Sequence, residues 1–120
     1  MWYVTSSATG GVTCQSRSNN FVVTAQAVSA GPGGVSLTLR NGTGQTVTMV
    51  SATGRGDFNG AGVLSTNTVA PNQTVNITGI NAPPNAATNL SNTFDDGRVE
   101  IVASIDTLPA NFDVICTGKV

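Results

Sequence analysis

Histidine is absent from the 120 residues, which removes the commonest general base and the commonest transition-metal ligand together. Charge is scarce as well: Asp, Glu, Lys and Arg make up 9% of the chain, against about a quarter in an average domain. The five cations, Arg17, Arg40, Arg55, Arg98 and Lys119, are scattered, and the net charge is −1. Such a chain offers no basic field to nucleic acid and no polybasic cluster to a membrane surface. Aromatics are 5%, and Trp2, Tyr3 and the four Phe are too dispersed for a base-stacking platform. The sequence contains no recognisable signal peptide and no apolar run of about 20 residues.

These shortages leave catalysis without tools. A serine nucleophile would have only Lys119 or a carboxylate as its base, and Lys119 sits next to the last residue, a poor place to hold geometry. The glycine stretches GPGG (31–34) and GTGQT (42–46) lack the lysine and the strand–loop–helix setting of a phosphate loop. Paired carboxylates for glycoside hydrolysis need a cleft between them, and no insertion suggests one. The expectation is a non-enzyme with no catalytic residue, no cofactor and no resident metal. Two motifs keep alternatives open. Asp95-Asp96-Gly97 reads either as oxygen donors for calcium or as a turn ahead of a strand. Arg55-Gly56-Asp57 spells a tripeptide that some integrins bind, on a loop expected at 54–62, or is simply part of a surface loop.

In place of charge the chain has Ser, Thr, Asn and Gly, and its 39% hydrophobic residues suffice for one modest core. Alternation dominates. Phe21, Val23, Ala25 and Ala27 fall on one face of a strand, with Val22, Thr24 and Gln26 on the other. Val35, Leu37 and Leu39 point inward and Ser36, Thr38 and Arg40 outward. Asn41-Gly-Thr-Gly44 then reads as a tight hairpin turn, returning through Val47 and Met49 with Thr46 and Thr48 outward. Val63, Leu64 and Val69 suggest a short edge strand closed by Pro71. Val75 and Ile77 face inward, as do Val99, Ile101, Ala103 and Ile105, and then Phe112, Val114 and Cys116. The irregular stretch 81–97 has room for a one-turn helix. The pattern predicts an all-β domain, an antiparallel immunoglobulin-like β-sandwich of six to eight short strands, with a small barrel as the alternative. Residues 1–19 are expected as a linker and 20–120 as the sandwich.

Two cysteines, Cys14 and Cys116, lie near opposite ends. They are either free thiols of a cytosolic protein or a disulfide, and the Thr/Asn-rich composition favours the disulfide of an exported one. Four Asn-x-Ser/Thr sequons, at Asn41, Asn72, Asn76 and Asn89, point the same way as candidate N-glycosylation sites, although some would arise by chance in a chain so rich in Asn and Thr. Met1-Trp2-Tyr3-Val4 is expected to be the remnant of an apolar segment upstream.

VSLTLRNGTGQTVTMVSATG (35–54), followed by GVLSTNTVAPNQTVNITG (62–79), resembles the globular domain of archaeal type IV-like pilins, which carry a class III signal peptide. MWYV and GGVTC are similar to the end of that family's apolar N-terminal helix and the linker that follows, cysteine included. The resemblance implies a structural subunit of a cell-surface filament, with copies of itself as partners through a helix that this sequence lacks. The alternative expectation is an extracellular adhesin module that binds a surface glycan.

Overall fold

Short alternating runs of Val, Leu, Ile and Thr cannot bury a stripe as helices do, but they bury one face each as paired strands. The computed structural model describes residues 11–18, 20–85 and 89–120. Eleven strands follow one another: β1 Val12–Ser16, β2 Phe21–Val28, β3 Gly31–Asn41, β4 Val47–Gly56, β5 Gly60–Ala61, β6 Val63–Leu64, β7 Thr68–Val69, β8 Thr74–Ala82, β9 Thr93–Ile105, β10 Leu108–Pro109 and β11 Phe112–Lys119. Four of them have only two residues, leaving seven of five or more. One sheet runs β2-β3-β8-β6; the other runs β1-β11-β9-β4-β5, with β10 beside β9 and β7 beside β4. Every pairing is antiparallel. The two sheets pack together as a β-sandwich, and no helix occurs among the described residues.

The core between the sheets is aliphatic. Leu37, Leu39, Ile77, Ile80, Met49 and Ile101 are among its largest fully buried side chains, joined by Phe58, with Phe21 and Phe94 also buried. Phe21 of β2 stacks on Phe112 of β11 at 4.5 Å between centroids, joining the sheets at one side, and Phe58 meets Phe94 at 5.3 Å and a tilt of 55°. Such ring pairs add roughly 0.5–1.5 kcal/mol beyond the area they bury.

Several expectations need correction. The stretch 35–50 is no hairpin: β3 pairs with β2 and β8, whereas β4 pairs with β9, β5 and β7. Residues 42–46 are an arch from one sheet to the other. Both strands send their aliphatic side chains into the same core from opposite sides, so alternation reads alike for the two arrangements. Residues 12–16, expected in a linker, form β1. The 54–62 stretch is no continuous loop either, since β4 runs through Gly56. Glycine is needed at 54 because a Cβ there would lie 2.6 Å from the backbone nitrogen of Asn59. Residues 93–97, expected as irregular chain or a helical turn, open β9.

Bulges explain the remaining misses. The register of β2 against β3 shifts between Val23 and Ala25, so the inward set becomes Phe21, Val23, Gln26 and Val28, and Ala25 and Ala27 face solvent. β4 shifts between Met49 and Ser51, exchanging Val47 and Met49 for Ala52 and Gly54. β8 does the same around Gly79, whose φ is +86°, moving from Val75 and Ile77 to Ile80 and Ala82. An extra residue in one strand reverses the parity of all that follow.

Candidate functional site

The first described strand is secured by a covalent bond as well as by its ladder. Cys14 of β1 lies directly opposite Cys116 of β11 in the ladder, and the two form the disulfide, with Cα atoms 4.1 Å apart and a sequence separation of 102. Both cysteines are fully buried. Among the described residues the other edge of β1 has no strand partner, and a side chain takes that place. Gln26, buried at the reversed parity of β2, accepts a bond from Cys14 N–H through Oε1 at 2.9 Å and donates from Nε2 to the carbonyl of Val12. One amide thus imitates the donor and acceptor of a neighbouring strand. Just past β1, Arg17 N–H bonds to the carbonyl of Asp113 at 2.9 Å, and the two side chains form an exposed ion pair at 3.7 Å. On the opposite side of the sandwich, Asn59 and Asn81 exchange backbone bonds of 3.1 and 2.8 Å between the sheets. The sequence contains one sign of Gln26: a lone amide residue inside FVVTAQAV, apolar apart from it and Thr24.

The four sequons divide into two pairs. Asn41 is fully buried. Its Nδ2 donates to the carbonyls of Gln45 (2.7 Å) and Val69 (2.9 Å), its Oδ1 accepts from Thr43 N–H (2.9 Å), and Thr43 Oγ1 accepts from Gln45 N–H (3.1 Å). Asn89 repeats the arrangement. Its Nδ2 donates to the carbonyl of Thr93 (3.2 Å), its Oδ1 accepts from Ser91 N–H (2.7 Å), and Ser91 Oγ accepts from Thr93 N–H (3.1 Å). In both places Asn-x-Thr/Ser is a five-residue turn closed by its own side chains. Asn41, expected as a surface glycan site, is instead the inner anchor of the arch between β3 and β4.

Asn72 and Asn76 are exposed. Asn72 occupies the turn between β7 and β8 at φ +66°, after Pro71, with Gln73 N–H bonded to the carbonyl of Ala70 at 3.0 Å. Pro followed by a residue at positive φ is the pattern of a type II turn. Asn76 stands on the outer face of β8, where its Oδ1 accepts from Thr38 Oγ1 at 2.9 Å.

Asp57 organises the end of the sandwich where Arg55-Gly56-Asp57 falls. Its N–H bonds to the carbonyl of Asp96 (2.8 Å), and its carboxylate accepts from Asn89 Nδ2 and from Asp96 N–H, both at 3.2 Å. Asn85 Nδ2 reaches its carbonyl at 3.4 Å. Arg55 pairs across the ladder with Glu100 at 3.3 Å. The tripeptide is therefore a strand end tied to β9, not the open loop expected of a ligand. Asp95 and Asp96 lie within β9 rather than in a turn before it, and Asp96 Oδ1 is 2.9 Å from Arg98 Nε. An open cleft of about 370 Å³ beside them is lined by Asp57, Asn89, Thr93, Phe94 and Asp95. Among the described residues no three Asp, Glu, Cys or His side chains gather as metal ligands.

The outer faces of the sandwich differ in chemistry. The ion pairs Arg17–Asp113, Arg55–Glu100 and Arg98–Asp96 all belong to the β1-β11-β9-β4 side. The outward positions of β3 and β8 carry Ser36, Thr38, Thr74, Asn76 and Thr78, with Arg40 the one charge among them. No family model, no curated protein and no solved structure matches the chain.

Proposed function

We propose that this domain is the globular head of a subunit in an extracellular filament of the archaeal type IV-like pilin kind. The observation that supports the reading best is the securing of β1. A filament built on apolar helices ahead of its heads would load each head through the strand nearest the chain's beginning. An edge strand pulled along its ladder is held by few bonds, and here Cys14–Cys116 adds a covalent link to the last strand. A buried disulfide also suits an oxidising, extracellular setting. The polar, nearly uncharged surface of β3 and β8 fits contacts between neighbouring heads that are modest and hydrated.

The open cleft beside Asp57 favours a second reading, an adhesin module gripping a surface glycan through Asn89, Thr93 and the carboxylates. It is the weaker reading, because among the described residues the four phenylalanines are committed to the ring pairs Phe21–Phe112 and Phe58–Phe94. Placing a pilin-type apolar helix ahead of residue 1, in a host that processes pilins, tests the choice. Filaments displaying the domain support the subunit. A processed, displayed protein that stays unassembled, while the domain binds a defined glycan, supports the adhesin.

A further inference from the structure

We propose that Asn72 and Asn76 are the N-glycan acceptors of this chain, and that Asn41 and Asn89 are not. The deciding atom is Nδ2, which must carry the sugar. In Asn41 it is spent on the carbonyls of Gln45 and Val69 within a fully buried side chain. In Asn89 it is spent on the carbonyl of Thr93 and the carboxylate of Asp57. A glycan at either nitrogen would displace those bonds, and at Asn41 it would also need the fully buried side chain to come out of the arch. Asn72 and Asn76 are exposed, and among the described residues the one side-chain bond of the two, from Thr38 Oγ1, ends on Asn76 Oδ1 and not on its Nδ2. The sequon hydroxyls divide likewise: Thr43 and Ser91 close their turns, while Thr74 and Thr78 point outward from β8.

The donor this chemistry takes is a polyprenyl-phosphate-linked oligosaccharide. The amide nitrogen attacks the anomeric carbon, a C1–N bond forms and the C1–O bond to phosphate breaks. The lipid phosphate leaves with the electron pair, and one Nδ2 proton passes to a base of the transferase. Asn72 sits in a turn that a transferase can engage as folded, whereas Asn76 sits in a strand flanked by β3 and β6, so Asn72 fills first. Both sugars would stand on the β3–β8 side, the hydroxyl-lined side with little charge.

The inference rests on export to a glycosylating compartment and not on filament assembly. The test is to export the chain in an N-glycosylating host and map glycopeptides of the folded, disulfide-bonded protein, which needs no variant to fold. Glycan mass on the peptides of Asn72 and Asn76, removed one unit at a time by Asn72→Gln or Thr74→Ala and by Asn76→Gln or Thr78→Ala, supports it. Occupancy at Asn41 or Asn89 in that folded protein, or bare Asn72 and Asn76, overturns it. Protein carrying the added pilin-type helix that is glycosylated at Asn72 and Asn76 yet stays unassembled would count against the filament reading alone.

Discussion

The side chain of Gln26, on an edge strand of one sheet, accepts a 2.9 Å hydrogen bond from the backbone of Cys14, on the edge strand of the other. That bond and its companion to Val12 close the side of the sandwich where β1 would otherwise present unpaired buried groups. Unsatisfied buried donors and acceptors cost about 1–3 kcal/mol each. Gln26→Leu keeps the bulk and removes both bonds, so it should destabilise the protein by about 2–4 kcal/mol in a urea titration. Faster amide exchange at Cys14 should accompany the loss. A change within about 0.5 kcal/mol, the range of an ordinary surface substitution, would show that β1 does not depend on this amide.

The disulfide spans 102 residues of chain. In the loop-entropy account, removing such a link costs up to roughly 4–5 kcal/mol. The double variant Cys14→Ala/Cys116→Ala should unfold at a clearly lower urea concentration, with Val12–Ser16 the first amides to lose protection. Native protein that accepts two alkylating groups, or an unchanged midpoint in the variant, would contradict this.

Bulge parity is open to direct test. Ala27 follows the β2 shift and is exposed, while Ala52 follows the β4 shift and is 1% exposed. Ala27→Lys should leave stability within about 0.5 kcal/mol. Ala52→Lys, forcing a cation into the core, should prevent folding or cost several kcal/mol. Similar outcomes at the two sites would mean that the shifts are misplaced.

Those bulges mark what the sequence could and could not reveal. Val35, Leu37 and Leu39, or Val99, Ile101 and Ala103, read correctly because no extra residue interrupts them. Gln26 and Ala52 read wrongly or not at all, because one inserted residue reverses every later side chain and leaves no trace in composition. The arch at 42–46 was hidden for a different reason: Asn-Gly-Thr-Gly suits tight hairpins and arches alike, and the strand pairing distinguishes them. The pairing of Cys14 with Cys116 was legible, since Cys116 continues the inward set of Phe112 and Val114. The role of Asp57 was not, because its partners Asn85, Asn89 and Asp96 lie 28 to 39 residues away.

The hairpin joining β9 to β10 carries a local cost. Ile105 faces Leu108 across a two-residue loop in which Asp106 and Thr107 both adopt positive φ, +50° and +68°. That is the backbone of a type I′ turn, for which Asp-Gly is favoured, and a β-branched residue is strained there. Thr107→Gly should stabilise the protein by about 0.5–1 kcal/mol as steric relief outweighs the added chain entropy. A loss of stability of the same size would indicate that the turn is not of this type.

The filament reading stands or falls most directly on where the domain sits at a cell surface. Gold-labelled antibody against the folded head, applied to cells that make the full protein, should decorate surface filaments along their whole length. Peptides of this chain, Cys14 still linked to Cys116, should then be a major component of the sheared filament fraction. Labelling confined to filament tips or to the cell envelope, with filaments free of these peptides, would contradict a structural subunit.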